Sequence, residues 1–175
     1  MTFFSDQVIK NSGLATWQQM LDSTGLDGVY TAGGNYPDQD LVRLLVTYSE
    51  IRGEPISHLI HHTGRQLLDQ FSESYGVFFE GHESFFNFLE SVEDVIHVEV
   101  KKLYPDAELP TFEYERISEQ QLNLHYRSQR KLCDLALGLV ARSAEYFDVD
   151  CSVVHGERCL NKGDDFCQLE VVAHG

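Results

Sequence analysis

Residues 121–130 read QLNLHYRSQR, and this stretch decides the fold of the last third of the chain. Apolar and polar side chains alternate up to Tyr126, which is the period of a β-strand with one buried face. If the strand continues, Tyr126, Ser128 and Arg130 point to the same side. They would then present a phenol, a hydroxyl and a guanidinium, a set of donors suited to a pair of carboxylates. The alternative is an ordinary strand end with a solvated arginine.

Further alternating runs on both sides of this stretch predict a small antiparallel sheet. Residues 111–117 form a strand candidate before it, and residues 151–155 and 166–172 form a second pair around a turn at 161–164. Between the two pairs, the spacing of apolar residues predicts a helix over 130–147.

The first two-thirds of the chain are predicted to be helical. Apolar residues recur at three- and four-residue spacing over 14–21, 38–52, 56–71 and 84–104. The last of these is the longest helical candidate. The fold class is therefore α+β, with a helical N-terminal part followed by a small antiparallel sheet and a packed helix.

One histidine lies on the longest predicted helix. A helical turn count places His97 about 100° from the centre of the apolar stripe, at its margin. A histidine at such a position is ordinarily a surface or boundary residue. The alternative is that a ligand covers this margin, where an imidazole could bind the open face of a haem iron.

The composition excludes several classes of partner. The chain has 175 residues, enough for one domain, and a formal net charge of −15, which repels nucleic acid and anionic lipid. It contains no apolar run near about 18 residues, and its first residues lack a basic segment followed by an apolar one. We therefore expect no membrane span and no signal peptide, and a cytoplasmic location.

Taken together, the chain resembles the haem–nitric oxide/oxygen binding family, the H-NOX domains, a family similar to the sensor domain of soluble guanylate cyclase. The resemblance covers nearly the whole chain and is strongest for the stand-alone bacterial type. It rests on motifs at consistent spacing: Ile96-His97, Pro110, Tyr126-x-Ser128-x-Arg130 and the helix 132–139. It implies a single domain over 1–175, with a helical part at about 1–60, a cradle at about 61–175 and haem buried between them.

The resemblance also implies roles for these residues. His97 would be the proximal ligand of the iron of haem b, and Tyr126, Ser128 and Arg130 would hold the two propionates. Pro110 would press on the macrocycle and distort it. In this family, nitric oxide binding is thought to weaken or break the iron–histidine bond. The helix bearing His97 could then move, as a two-state element biased by a ligand.

The expected distal pocket is apolar. Oxygen-binding members of the family resemble one another in having a distal tyrosine, and the corresponding residue here is Leu135. Phe4 and Leu67 occupy two further distal positions, and Leu139 completes the wall of the pocket. These leucines are equally compatible with an ordinary core. A hydrogen-bond donor in a dry pocket is worth roughly 1–3 kcal/mol to bound dioxygen, and nitric oxide needs it much less. The sequence therefore predicts binding of nitric oxide and carbon monoxide, and poor binding of oxygen.

A second group of metal-ligating residues lies near the C-terminus. A subset of H-NOX domains carries a zinc site of three thiolates and an imidazole, and the residues here resemble it: Cys133, His155, Cys159 and Cys167. The gap from histidine to cysteine is one residue longer than in that subset, and Cys151, on the same strand face as His155, could replace it. The alternatives are buried free thiols or a Cys159–Cys167 disulfide.

Three functions are compatible with the sequence. The first is a non-enzymatic sensor that reports nitric oxide to a separate partner, by resemblance a histidine kinase or a cyclic-dinucleotide enzyme. The second is a thiol and zinc redox sensor in which the haem is structural. The third, a haem peroxidase, needs a distal acid–base group that leucine and phenylalanine do not supply.

Overall fold

The computed structural model of the chain describes residues 1–31, 34 and 36–174. The chain divides into two compact units, Met1–Thr63 and Gly64–Gly175. Within the described residues, no helix is both long enough and apolar enough to span a membrane.

The N-terminal unit is a small helical assembly. Gly13, with a φ of 87°, separates the first two helices, and Gly25 ends the second in the left-handed conformation that favours glycine. Its buried core includes Phe4, Val8 and Met20, and the ring of Phe4 meets that of Trp17 edge to face, with centroids 6.4 Å apart. The helices are α1, Thr2–Ser12; α2, Leu14–Thr24; α3, Asp38–Arg52; and α4, Ile56–Ser74, which crosses into the second unit.

The C-terminal unit combines helices with a four-stranded antiparallel sheet in the order β1-β2-β4-β3. Its elements are α5, Phe85–Ser91; α6, His97–Leu103; β1, Thr111–Arg116; β2, Gln121–Arg127; α7, Cys133–Tyr146; β3, Cys151–His155; and β4, Cys167–Ala173. The predicted helices, strands and α+β class are confirmed, with ends that shift by a few residues.

The alternation read in the sequence explains how the sheet packs. Leu122, Leu124 and Tyr126 on β2 are buried, together with Leu169 and Val171 on β4. The apolar residues of α7 belong to the same buried cluster: Ala136, Leu137, Val140 and Ala144. Burial of one sheet face against a helix supplies the hydrophobic core of this unit.

The longest predicted helix is helical throughout but not uniform. Ser84 begins it, its side chain accepting a hydrogen bond from the backbone N–H of Asn87 at 3.2 Å. After α5, one π-helical turn over Val92–Ile96 interrupts the α-helical ladder, and α6 starts at His97. A π-helical turn is a rare local widening that is frequent at functional sites, and apolar periodicity does not reveal it.

Candidate functional site

His97 lies directly after the π-helical turn, where its ring is held by a carboxylate. Its Nδ1 is 3.1 Å from Oε2 of Glu93, four residues earlier. An ionised carboxylate only accepts hydrogen bonds, so Nδ1 carries the proton and donates. The same Oε2 accepts the backbone N–H of Phe112 at 3.0 Å. In this tautomer the lone pair of Nε2 is the one suited to a metal.

A cavity opens beside His97. It measures about 460 Å³, and its walls bring together several residues of the segment 93–111: Glu93, His97, Val98, Lys101, Lys102, Leu109, Pro110 and Thr111. The structure thus places Pro110 in the same wall as His97. Next to them, the rings of His97 and Phe112 have centroids 5.9 Å apart, and Phe112 and Tyr126 follow at 5.6 Å.

The predicted carboxylate-binding residues are close together, but not as one strand face. The strand β2 ends at Arg127, and a turn follows, with the N–H of Lys131 donating to the carbonyl of Ser128 at 3.3 Å. The expectation that the strand continues through Arg130 is therefore wrong. Lys131 has a φ of 51°, which ends the extended backbone.

The turn nevertheless brings the two hydroxyls into contact. Burial raises the pKa of Tyr126 above its ordinary value, against opposing hydrogen bonds from the Ser128 hydroxyl and the backbone N–H of Leu132. The Ser128 oxygen also accepts the backbone N–H of Arg130 at 3.2 Å, while the side chain of Arg130 lies at the surface. Tyr126 and Ser128 thus form one polar unit, with Arg130 beside it.

The residues predicted for the distal pocket fall in both units. Phe4 is buried in the N-terminal core, whereas Leu67, Leu135 and Leu139 are half-buried on α4 and α7. Those two helices approach closely at Gly64, where an added Cβ would lie 2.3 Å from the carbonyl oxygen of Leu135. No side chain larger than hydrogen fits there without moving a backbone.

Three of the four predicted zinc ligands meet in one buried cluster. The sulfur of Cys159 lies 4.0 Å from that of Cys133 and 3.6 Å from that of Cys167. All four cysteines are free thiols. Burial is the main reason that the pKa values of the Cys133 and Cys167 thiols are raised, and a bound metal ion would favour the thiolates instead.

The structure does not bring the predicted fourth ligand to all three sulfurs. Nε2 of His155 lies 3.2 Å from Oδ1 of Asp134. Of the three cysteines in the cluster, only Cys133 lies close enough to bind the same metal ion as His155 and Asp134. Cys151, at the start of β3, lines a separate cavity of about 520 Å³. Among the described residues, only the cysteines Cys133, Cys159 and Cys167 come together, and we refer to these three as the thiol cluster.

Comparison with known proteins agrees with these features. The Haem-NO-binding family model matches residues 1–155. No curated protein sequence matches the chain. An H-NOX protein from S. oneidensis in the Fe(II)NO ligation state is 25% identical, with 99% of this chain and 97% of that one covered, at a TM-score of 0.90. Fe(II) unliganded H-NOX from K. algicida is 27% identical, with coverage of 99% and 94%, at a TM-score of 0.91.

The chain therefore belongs to the H-NOX family of haem-based gas sensors. The residues of the site fit a haem: an imidazole beside a cavity can bind the iron, and a paired tyrosine and serine nearby can donate to the propionates, with a proline in the same wall as the imidazole. Sequence reasoning missed one participant, Glu93, although its spacing of four residues before His97 is the spacing of neighbours on one helix face.

Proposed function

We propose that the protein is a nitric oxide sensor in which His97 is the proximal ligand of haem b. The observation that carries this proposal is the fixed imidazole of His97, with Nδ1 engaged by Glu93 and a cavity at its side. When bound, the haem iron supplies the site at which nitric oxide or carbon monoxide binds. Tyr126, Ser128 and Arg130 would hold the propionates, and Pro110 would press on the macrocycle.

We infer that the chain discriminates between gases by what its distal residues lack. Leu67, Leu135, Leu139 and Phe4 carry no hydrogen-bond donor in their side chains. Bound dioxygen carries partial negative charge, and without such a donor its binding free energy is weaker by roughly 1–3 kcal/mol, whereas that of nitric oxide is weakened much less. These residues also offer no acid–base group for peroxide chemistry, and so we assign the chain no catalytic activity.

In this proposal His97 would hold the iron, and its release when nitric oxide binds would be the signal. The segment that would respond is α6, which starts at His97 and follows a π-helical turn. A separate protein would read the change. A histidine kinase or a cyclic-dinucleotide enzyme fits the family, and the net charge of −15 favours a basic docking face on that partner.

The visible spectrum of the reduced, haem-loaded protein tests this proposal. We expect the ferrous spectrum to be the same in argon and in air, and to shift when nitric oxide is added. A stable new spectrum in air would contradict the exclusion of oxygen. A failure of the purified chain to take up haem would contradict the proposal as a whole.

A second function, redox sensing by a zinc–thiolate site, is favoured by the buried cluster of Cys133, Cys159 and Cys167. Three thiolates form most of a closed tetrahedral zinc site, and His155 is the proposed fourth ligand. Oxidation of the thiolates would release the metal. If the nitric oxide response survives Cys159→Ser, the thiol cluster is not the main route of that response.

We propose a cytoplasmic location for the protein, because free thiols of this kind fit a reducing compartment.

A further inference from the structure

One oxygen of Glu93 accepts two hydrogen bonds from different parts of the C-terminal unit. Oε2 receives Nδ1–H of His97 at 3.1 Å and the backbone N–H of Phe112, in β1, at 3.0 Å. The side chain of His97 is 17% exposed and that of Glu93 30% exposed, so water competes only in part for these bonds. The carboxylate thus ties the histidine to the edge of the sheet.

The two lysines that line the cavity with Glu93 pair with other groups, so they do not compete with His97 for the Glu93 carboxylate. Lys101 and Lys102 line the same cavity, but Lys101 donates to the backbone carbonyl of Ala107 and Lys102 pairs with Glu99. The π-helical turn over Val92–Ile96 contains Glu93 and ends at the residue before His97. The local backbone therefore presents Glu93 to the ring at the start of α6.

A metal-bound histidine that donates its second N–H to a carboxylate has a fixed ring orientation and a fixed tautomer, and it becomes a more basic ligand. We propose that Glu93 is the positioning residue of the haem site, which aims Nε2 of His97 at the iron and strengthens the iron–histidine bond. This inference rests on the proposed role of His97. Its consequence is that Glu93 opposes histidine release and so sets how readily nitric oxide triggers the signal.

A purely structural role for Glu93 would look different. In that case the bond to Phe112 would hold β1 against the helix, and the bond to His97 would be incidental. Replacing Glu93 would then lower the stability of the haem-free chain and leave the iron–histidine bond unchanged. A vibrational measurement separates the two roles because it reports the bond itself.

The test compares Glu93→Gln with the wild type and with Glu99→Gln, which removes the same charge from α6 at a residue paired with Lys102. The frequency of the iron–histidine stretch is measured by resonance Raman spectroscopy on the ferrous proteins, and haem loss is followed by transfer to apomyoglobin. We expect Glu93→Gln to lower the frequency and to weaken haem binding by about 10- to 100-fold. Glu99→Gln should change neither.

A second measurement leaves Glu93 in place. His97→Gly is loaded with haem in the presence of added imidazole, which takes the place of the lost side chain, and the imidazole is then exchanged for 1-methylimidazole, which has no N–H to donate. We expect imidazole to bind at least about tenfold more tightly, and this preference to disappear when Glu93→Ala is added, because alanine removes the acceptor that a glutamine amide oxygen would still supply. The double variant controls for the size of the methyl group.

The outcomes are distinct. An unchanged stretching frequency in folded Glu93→Gln, or an imidazole preference that survives in the double variant, overturns the role of Glu93 while the haem site stands. If the wild type takes up no haem, the inference and the proposed function both fail. Thermal melting of the haem-free variants, followed by circular dichroism, shows whether Glu93→Gln is folded; if it is not, the imidazole preference of His97→Gly decides.

Discussion

The His97 region and the thiol cluster are both candidate metal sites in one unit, but they are built in different ways. His97 borders a cavity, and a single side-chain hydrogen bond to Glu93 holds its ring. The sulfurs of Cys133, Cys159 and Cys167 are buried, and the backbone N–H of Leu160 lies 3.2 Å from the sulfur of Cys167. An open site suits a ligand that is exchanged, whereas a closed site suits a metal that stays.

Tyr126 stands between the two regions. On one side its strand partner is Phe112, whose ring lies next to that of His97, and on the other side its partner is Cys167. Because one residue of β2 borders both, each region has to be altered separately to learn which of them carries the signal.

The largest effect is expected for His97→Ala. This change removes the only imidazole that lines the cavity of about 460 Å³, among the described residues, and should abolish haem incorporation when no free imidazole is added. Haem content per chain, measured from the pyridine haemochrome spectrum, checks it. His58→Ala, at an exposed position of α4, is the matched control and should load haem normally. Full haem content in His97→Ala would place the ligand elsewhere.

The next effect concerns the thiol cluster alone. Cys159→Ser removes the sulfur that lies within 4.0 Å of both others, so zinc measured by elemental analysis should fall to background while haem content stays normal. Cys151→Ser is the control, since Cys151 lies outside the cluster, and it should keep its zinc. Loss of haem together with zinc would show that the two regions are not separable.

A smaller effect is expected for Leu135→Tyr. A tyrosine hydroxyl in the distal pocket should add a hydrogen bond to bound dioxygen worth roughly 1–3 kcal/mol, or about 5- to 150-fold in oxygen affinity. Oxygen titration of the ferrous protein measures this gain, with Leu135→Phe as the control for ring size. If the tyrosine variant binds oxygen no more tightly than the phenylalanine variant, Leu135 is not part of the distal pocket.

The smallest effect concerns the close approach of α4 and α7 at Gly64. An added methyl at Gly64 would lie 2.3 Å from the Leu135 carbonyl oxygen, so Gly64→Ala should lower the free energy of unfolding by about 1–3 kcal/mol. Urea denaturation measures it. Gly76→Ala, where an added Cβ meets nothing within 4 Å, should be close to neutral. Equal stability of the two variants would contradict the close approach of α4 and α7.

The sequence predicted those features that depend on local patterns. Alternation located β2 to within a residue of its end. The spacing of Cys159 and Cys167 around a turn anticipated that the two sulfurs meet. In each case the information lies in residues close together along the chain.

Other features depend on backbone geometry that residue types do not encode. The π-helical turn before His97 changes the angle between neighbours without changing the apolar pattern. Lys131 adopts a positive φ, which a lysine in the sequence does not indicate, and the predicted strand face through Arg130 was therefore wrong. The pairing of His155 with Asp134 likewise depends on where β3 meets α7 in space.

We propose that an apolar pocket lets the haem on His97 bind nitric oxide and not oxygen. Mixing the reduced protein in a stopped-flow spectrometer with air-saturated buffer, with and without nitric oxide, tests this selectivity. We expect the ferrous spectrum to persist in air alone and to convert to the nitric oxide form when nitric oxide is present. A stable oxygen complex formed during mixing, in air alone or in competition with nitric oxide, would contradict it.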